Sequence, residues 1–151
     1  MKMQNWANTL YPLFLSTVSS CTYASYTDEE LMQALSQLAM RAIALFRFPR
    51  ISLEYVAVDG AFALVNELSF AELEVIVSWM KVLWVEYQLS KERNYENLYA
   101  DKDVKAFSSG NLIASIVRAL EALTNAARKK EEFYYRSDRG VPTIGDVNAD
   151  E

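Results

Sequence analysis

The sequence predicts a mainly α-helical protein with one short β-hairpin, and three kinds of observation support this class. Two segments carry helix-start motifs, three carry apolar residues at helical spacing, and one Asp-Gly pair separates two β-favouring runs. The predicted elements are helices over about 28–47, 70–92 and 109–136 and a hairpin over about 51–66. We therefore expect a single helical domain over 27–136, with an extended N-terminal arm (1–26) and an extended C-terminal tail (137–151).

The N-terminal arm carries aromatic residues among Ser, Thr and Asn without steady periodicity, which predicts an extended segment that is ordered only where it packs. The Val-Ser-Ser-Cys stretch ending at Cys21 resembles a lipobox, so an exported lipoprotein is one alternative. Trp6, Asn8 and Pro12 interrupt the apolar run that such a leader needs. No stretch approaches the roughly 18 apolar residues of a membrane span, and we expect no membrane partner.

The first helix is predicted to begin at Thr27, because Thr27 and Glu30 fit a capping box. Tyr26 and Leu31 occupy the positions of a hydrophobic staple around this cap. One apolar stripe then follows at steps of three and four residues: Leu31, Leu35, Leu38, Ala42 and Leu45. The helix should end before Pro49, since the residue preceding a proline disfavours the helical conformation.

Residues 51–57 alternate in polarity, and 62–65 form a second short apolar run. Asp59 and Gly60 lie between the two runs, which is typical of a hairpin turn. Ala57, Ala61 and Ala63, which lie in or beside these runs, are poor strand formers and count against the hairpin.

The second helix also opens with a capping box, formed by Ser69 and Glu72. Its main apolar face consists of Leu73, Ile76, Val77, Met80, Leu83, Trp84 and Tyr87. Val75, Trp79 and Val82 lie off that face and are also apolar. A helix that is apolar on more than one side is either central in its domain or covered by another subunit. We expect these three residues to form part of an interface with a second subunit.

The third helix is predicted to begin near Ser108 or Ser109, either of which can cap it. Its apolar stripe consists of Ile113, Ile116, Val117, Leu120, Leu123 and Ala127. The charged end of the helix, 128–136, should project beyond the core or lie along a partner. The remaining candidates for a protein interface come from this end and from the tail: Tyr134, Arg136, Val141, Ile144 and Val147.

The composition excludes most common catalysis, since the chain has no His and a single Cys. Zinc sites need several Cys or His ligands, and the Asp101-to-Asp103 segment fails as a calcium loop at Lys105 and Ala106. We expect no catalytic, metal or cofactor site, and no enzyme. The cations of 128–139 complement the C-terminal end of a helix more readily than they form a nucleic-acid site. The net charge of −5 also argues against a protein that coats nucleic acid.

The chain resembles the head-to-tail connector proteins of tailed bacteriophages, the neck or adaptor class. Four features carry the resemblance: Phe46-Arg47-Phe48-Pro49 leading to Ser52-Leu53-Glu54-Tyr55, a capped helix around Trp79-Met80 and Trp84, Asp103 with Phe107-Ser108 and Asn111-Leu112 before the last helix, and Tyr134-Tyr135-Arg136 before Gly140 and Gly145-Asp146. Not every adaptor shares the Asp59-Gly60 hairpin.

The resemblance implies a structural role in the virion, for a protein made in the host cytoplasm. Family members form a closed ring, commonly twelve-fold, that joins the portal vertex to the tail. The implied partners are other copies of the chain, the portal protein, tail or other neck proteins, and DNA that passes through the channel without sequence-specific binding. The alternative function is a small helical binding or regulatory protein of the cytosol that acts as a dimer.

Overall fold

The computed structural model describes residues 3–18, 23–99 and 109–137. Its elements in chain order are β1 (Gln4–Asn5), a 3-10 turn (Trp6–Asn8), α1 (Leu10–Leu15), α2 (Asp28–Leu45), β2 (Tyr55–Val58), β3 (Ala61–Leu64), α3 (Phe70–Tyr99) and α4 (Ser109–Ser137). The prediction of a mainly helical fold with a short hairpin is confirmed. The predicted helix 109–136 agrees with α4 to within one residue at each end. α3 continues seven residues past its predicted end at 92.

α2 begins where its capping box places it. The Thr27 hydroxyl accepts a hydrogen bond from the Glu30 backbone N–H at 3.3 Å, and the Glu30 carboxylate accepts one from the Thr27 backbone N–H at 2.9 Å. These two bonds satisfy N–H groups that have no partner within the helix. The helix ends at Leu45, two residues before the predicted end, because Phe46 already has an extended backbone conformation.

α3 is the central helix, since α2 and α4 both pack against it. Val75, Trp79 and Val82 are therefore buried within the chain, with 2%, 5% and 6% of their surface exposed. The expectation that a second subunit covers these residues is wrong. Because α2 and α4 both pack on α3, the helix needs apolar residues on more than one face. The excess apolar character of this helix reflects its central position.

The hairpin forms as predicted, and β1 adds a third strand, so that the antiparallel order is β1-β3-β2. Asp59 and Gly60 both have positive φ angles, 52° and 80°, which suits a tight two-residue turn between twisted strands. Glycine adopts such an angle without steric cost.

The N-terminal segment is part of the core, and the prediction of an extended arm is wrong for 6–15, which contain the 3-10 turn and α1. Trp6, Leu10 and Phe14 are fully buried. Asn5 caps the short turn by accepting a hydrogen bond from the Ala7 backbone N–H at 2.8 Å. Pro12 lies within the first turn of α1, where its missing N–H costs no helical hydrogen bond.

α4 packs mainly on α3, and its two halves are covered differently. In the N-terminal half, residues 113–123 of the apolar stripe are only half-buried, and Leu112 is 46% exposed. In the C-terminal half, Ala127, Glu131 and Tyr134 are buried. We expected the charged end of α4 to project beyond the core or to lie along a partner. Instead, it packs against the segment that follows α2.

Candidate interaction surfaces

The C-terminal end of α4 is held by buried polar contacts, which we call the connector junction because they fix the segment 46–50 between α2 and β2. The Glu131 carboxylate accepts a hydrogen bond from the Arg47 backbone N–H at 2.5 Å and another from the Trp79 indole N–H at 3.3 Å. Glu131 is only 5% exposed. Composition alone does not reveal this burial of Glu131, because its two donors come from distant parts of the chain.

Tyr134 connects the same junction to the beginning of α3. Its hydroxyl donates to the Glu72 carboxylate at 2.9 Å and accepts from the Arg50 backbone N–H at 3.1 Å. The Arg50 guanidinium donates to the Tyr134 carbonyl at 2.6 Å and lies 4.1 Å from the ring centroid. Tyr134 was a candidate for a subunit interface, but it is 4% exposed and serves the fold.

The electrostatics of the junction follow from burial and hydrogen bonding. Burial alone would raise the pKa of Glu72, but hydrogen bonds from Ser69 and Tyr134 outweigh that effect and hold its pKa below the ordinary value. Burial is also the main reason that the pKa of Tyr134 is raised, and the neighbouring Glu72 carboxylate adds to it. At neutral pH the junction therefore contains a charged carboxylate and a protonated phenol, an arrangement suited to fixing helices.

One concave surface lies on each side of α2. We call the first the acidic groove. It has a volume of about 610 Å³. Its lining consists of Tyr11, Asp28, Glu29, Met32, Gln33, Ser36, Asp59, Gly60, Ala61 and Phe62. Three carboxylates and no cation line it, and Met32 is 37% exposed there. Burial raises the pKa of Tyr11 to about 12, against a hydrogen bond with Ser36, so this phenol stays neutral.

The second concave surface, the α2–α3 pocket, has a volume of about 260 Å³. Its lining consists of Tyr23, Tyr26, Ala34, Gln37, Leu38, Arg41, Leu83, Trp84 and Tyr87. No carboxylate lines it, and among the described residues Arg41 takes part in no ion pair or hydrogen bond. The Trp84 indole N–H is buried and likewise has no acceptor within the described ranges. Burial is the main reason that the pKa of Tyr23 rises to about 12.

The other predicted interface residues are distributed as follows. Arg136 is exposed and forms an ion pair with Glu132, one helical turn earlier, at 2.5 Å. Val141, Ile144 and Val147 lie outside the described residues, as do Cys21 and the Asp101-to-Asp103 segment.

Nothing in the sequence predicts the connector junction, the acidic groove or the α2–α3 pocket. The one available signal was in α2, where Asp28 and Glu29 lie about 120–140° around the helix from Arg41. No contact between segments far apart in sequence could be deduced from it.

Within the ranges that the structure describes, no group of three or more His, Cys, Asp and Glu could hold a metal ion. None of the described helices is long and apolar enough to cross a membrane. No protein family model, no curated protein and no solved structure matches the chain. The two surfaces beside α2 and the half-covered stripe of α4 are thus the features on which a function can be argued.

Proposed function

We propose that this chain is a structural subunit of a phage virion, which forms a ring between the portal vertex and the tail and lets DNA pass through the channel. The resemblance to head-to-tail connectors, carried by motifs spread over most of the chain, supports this role. The acidic groove, the α2–α3 pocket and the half-buried stripe of α4 support a role in binding other proteins, whereas the junction residues serve the fold.

The observation that carries the proposal is the partial burial of the apolar stripe on α4. Its members between 113 and 123 are covered on one side by α3 and remain half-exposed, while Leu112 is 46% exposed. Apolar surface left in water costs about 25 cal/mol per Å² relative to burial. Half-exposed apolar residues along one helix face are a feature through which soluble proteins associate.

The charge of the chain fits a channel through which DNA moves. The net charge is −5, and like charges on protein and phosphate oppose tight binding. We expect no stable complex with duplex DNA at physiological salt, and a mobility-shift titration measures this directly. A tight complex whose affinity falls steeply with salt would contradict the proposal, because a channel lining must release DNA.

Electron microscopy of the purified full-length protein tests the ring. We expect closed rings with a central channel, either alone or after mixing with the portal ring of the same phage, and co-sedimentation with that portal. A strict monomer that does not bind the portal would contradict the proposal. A stable dimer without larger species would favour the alternative, a small cytosolic binding or regulatory protein.

A further inference from the structure

We infer that copies of this chain associate head to tail through the two sides of α2, with Arg41 and Tyr87 of one copy entering the acidic groove of the next. The proposal concerns the contact itself, and its closure into a ring rests on the proposed function. Both participating surfaces consist of described residues, and each lacks something that the other supplies.

The first step is charge. Asp28, Glu29 and Asp59 line the acidic groove without a cation, and Arg41 lies at the α2–α3 pocket without a carboxylate. Arg41 is exposed and unpaired within the described part of the chain. A guanidinium can donate two parallel hydrogen bonds to one carboxylate, which makes such a pair specific as well as favourable when it is shielded from water.

The second step is shape and apolar surface. Tyr87 is 56% exposed and lines the same pocket as Arg41. The acidic groove has apolar side chains between its carboxylates, among them the exposed Met32 and the ring of Phe62. At about 610 Å³ it falls within the range of roughly 300–1,000 Å³ in which proteins accommodate whole ligands, so two side chains can enter it. Tyr and Arg are also the residues that most often anchor protein interfaces.

The third step is direction. At about 100° per residue, the α2 residues that line the acidic groove and those that line the α2–α3 pocket point about 160° apart around the helix axis. A contact between two different surfaces is heterologous, and it continues from copy to copy until it closes. With α2 parallel to the ring axis, two neighbours lie about 60° apart in a trimer, about 120° in a hexamer and about 150° in a dodecamer. An angle of about 160° on α2 is thus compatible with a ring of many copies or with an open filament.

The test uses charge reversal in the full-length chain. Arg41→Glu and Glu29→Lys each place like charges across the contact, and we expect each to raise the protein concentration needed for assembly at least tenfold in sedimentation velocity. In an assembly in which the two variants alternate, one kind of contact pairs the two introduced charges and the other pairs the two native charges. Both pairs are complementary, so the mixture should assemble like the wild type. Arg118→Glu is the matched control, since Arg118 is exposed on α4 and lines neither surface.

A second variant keeps the test independent of helix stability, because Glu29 lies in the first turn of α2, where its charge favours the helix. Tyr87→Ala removes no charge and should also weaken assembly at least tenfold. Assembly that resists all these variants, or a mixture that stays dissociated, would overturn the contact while leaving a ring possible. Charge-dependent filaments that never bind a portal would support the contact and overturn the proposed function. A wild-type protein that is monomeric, or only dimeric, overturns the head-to-tail contact.

Discussion

The buried Glu131 carboxylate joins α4 to two other parts of the chain, through the Arg47 backbone N–H and the Trp79 indole N–H. Replacing it with alanine removes the acceptor of both donors, and the Trp79 indole N–H among them is buried. A buried donor that loses its acceptor costs about 1–3 kcal/mol. We predict that Glu131→Ala lowers the free energy of unfolding by at least that amount in urea denaturation.

The neighbouring Glu132 provides the control for this prediction. It is exposed, and its ion pair with Arg136 lies on the helix surface. Such surface pairs contribute about 0–1 kcal/mol, so Glu132→Ala should have little effect. Equal effects of the two substitutions would mean that Glu131 is not buried as described.

The hydrogen bonds of Glu72 predict a dependence of stability on pH. Because its pKa is lower in the folded chain than its ordinary value of 4.5, the folded state favours the ionised carboxylate. This stabilisation is complete above the ordinary pKa and is lost as the pH falls through the folded pKa. We predict that the difference in unfolding free energy between the wild type and Glu72→Gln is constant from pH 7 to about 5.5 and shrinks below pH 4.5.

Chemical denaturation at a series of pH values measures this difference. Glu54→Gln is a suitable control, since Glu54 is exposed and lies outside the connector junction. A wild-type advantage that grows on acidification would contradict the assigned direction of the Glu72 shift.

At the scale of the elements, a substitution can test whether the N-terminal segment (β1, the 3-10 turn and α1) belongs to the hydrophobic core or is a peripheral arm. Trp6 is fully buried and lies against Phe62 and Tyr55, with ring centroids 5.2 and 5.0 Å away. Removing a buried aromatic side chain of this size costs about 3–5 kcal/mol. We predict a loss of this order for Trp6→Ala in thermal or urea unfolding, whereas Met3→Ala, at a residue that is 50% exposed, should be close to neutral. A neutral Trp6→Ala would favour the original prediction of an extended arm outside the core.

The elements that the sequence predicted well are those with local causes. The Thr27 and Glu30 capping box and the Asp59-Gly60 turn each act within a few residues, so their motifs suffice to locate α2 and the hairpin. α1 escaped prediction because six residues are too few for a helical period to be recognised, and its burial depends on contacts with distant segments. The central position of α3 likewise depends on what packs on its two sides.

At the scale of the whole molecule, the candidate surfaces could not be predicted from one sequence. The acidic groove brings Tyr11, Glu29 and Asp59 together from three separate elements and turns, and the connector junction joins residues more than eighty positions apart. Such sites are consequences of topology, which hydrophobic periodicity does not specify. From the sequence we expected α3 to carry more apolar surface than the core of one chain needs. In the structure α3 is buried within the chain, and the half-exposed apolar residues lie in the N-terminal half of α4.

Assembly through α2 also predicts how the stability of the molecule depends on its concentration. Association of native copies stabilises them by mass action, and each tenfold increase in concentration adds up to about 1.4 kcal/mol per contact once the contact is occupied. We predict that the melting temperature of the wild type rises across a hundredfold range of concentration in scanning calorimetry. Arg41→Glu should melt at one temperature throughout that range, close to that of the most dilute wild-type sample. Arg118→Glu should behave like the wild type, because its side chain lines neither surface beside α2. A melting temperature of the wild type that does not change with concentration would contradict association of folded copies in this range.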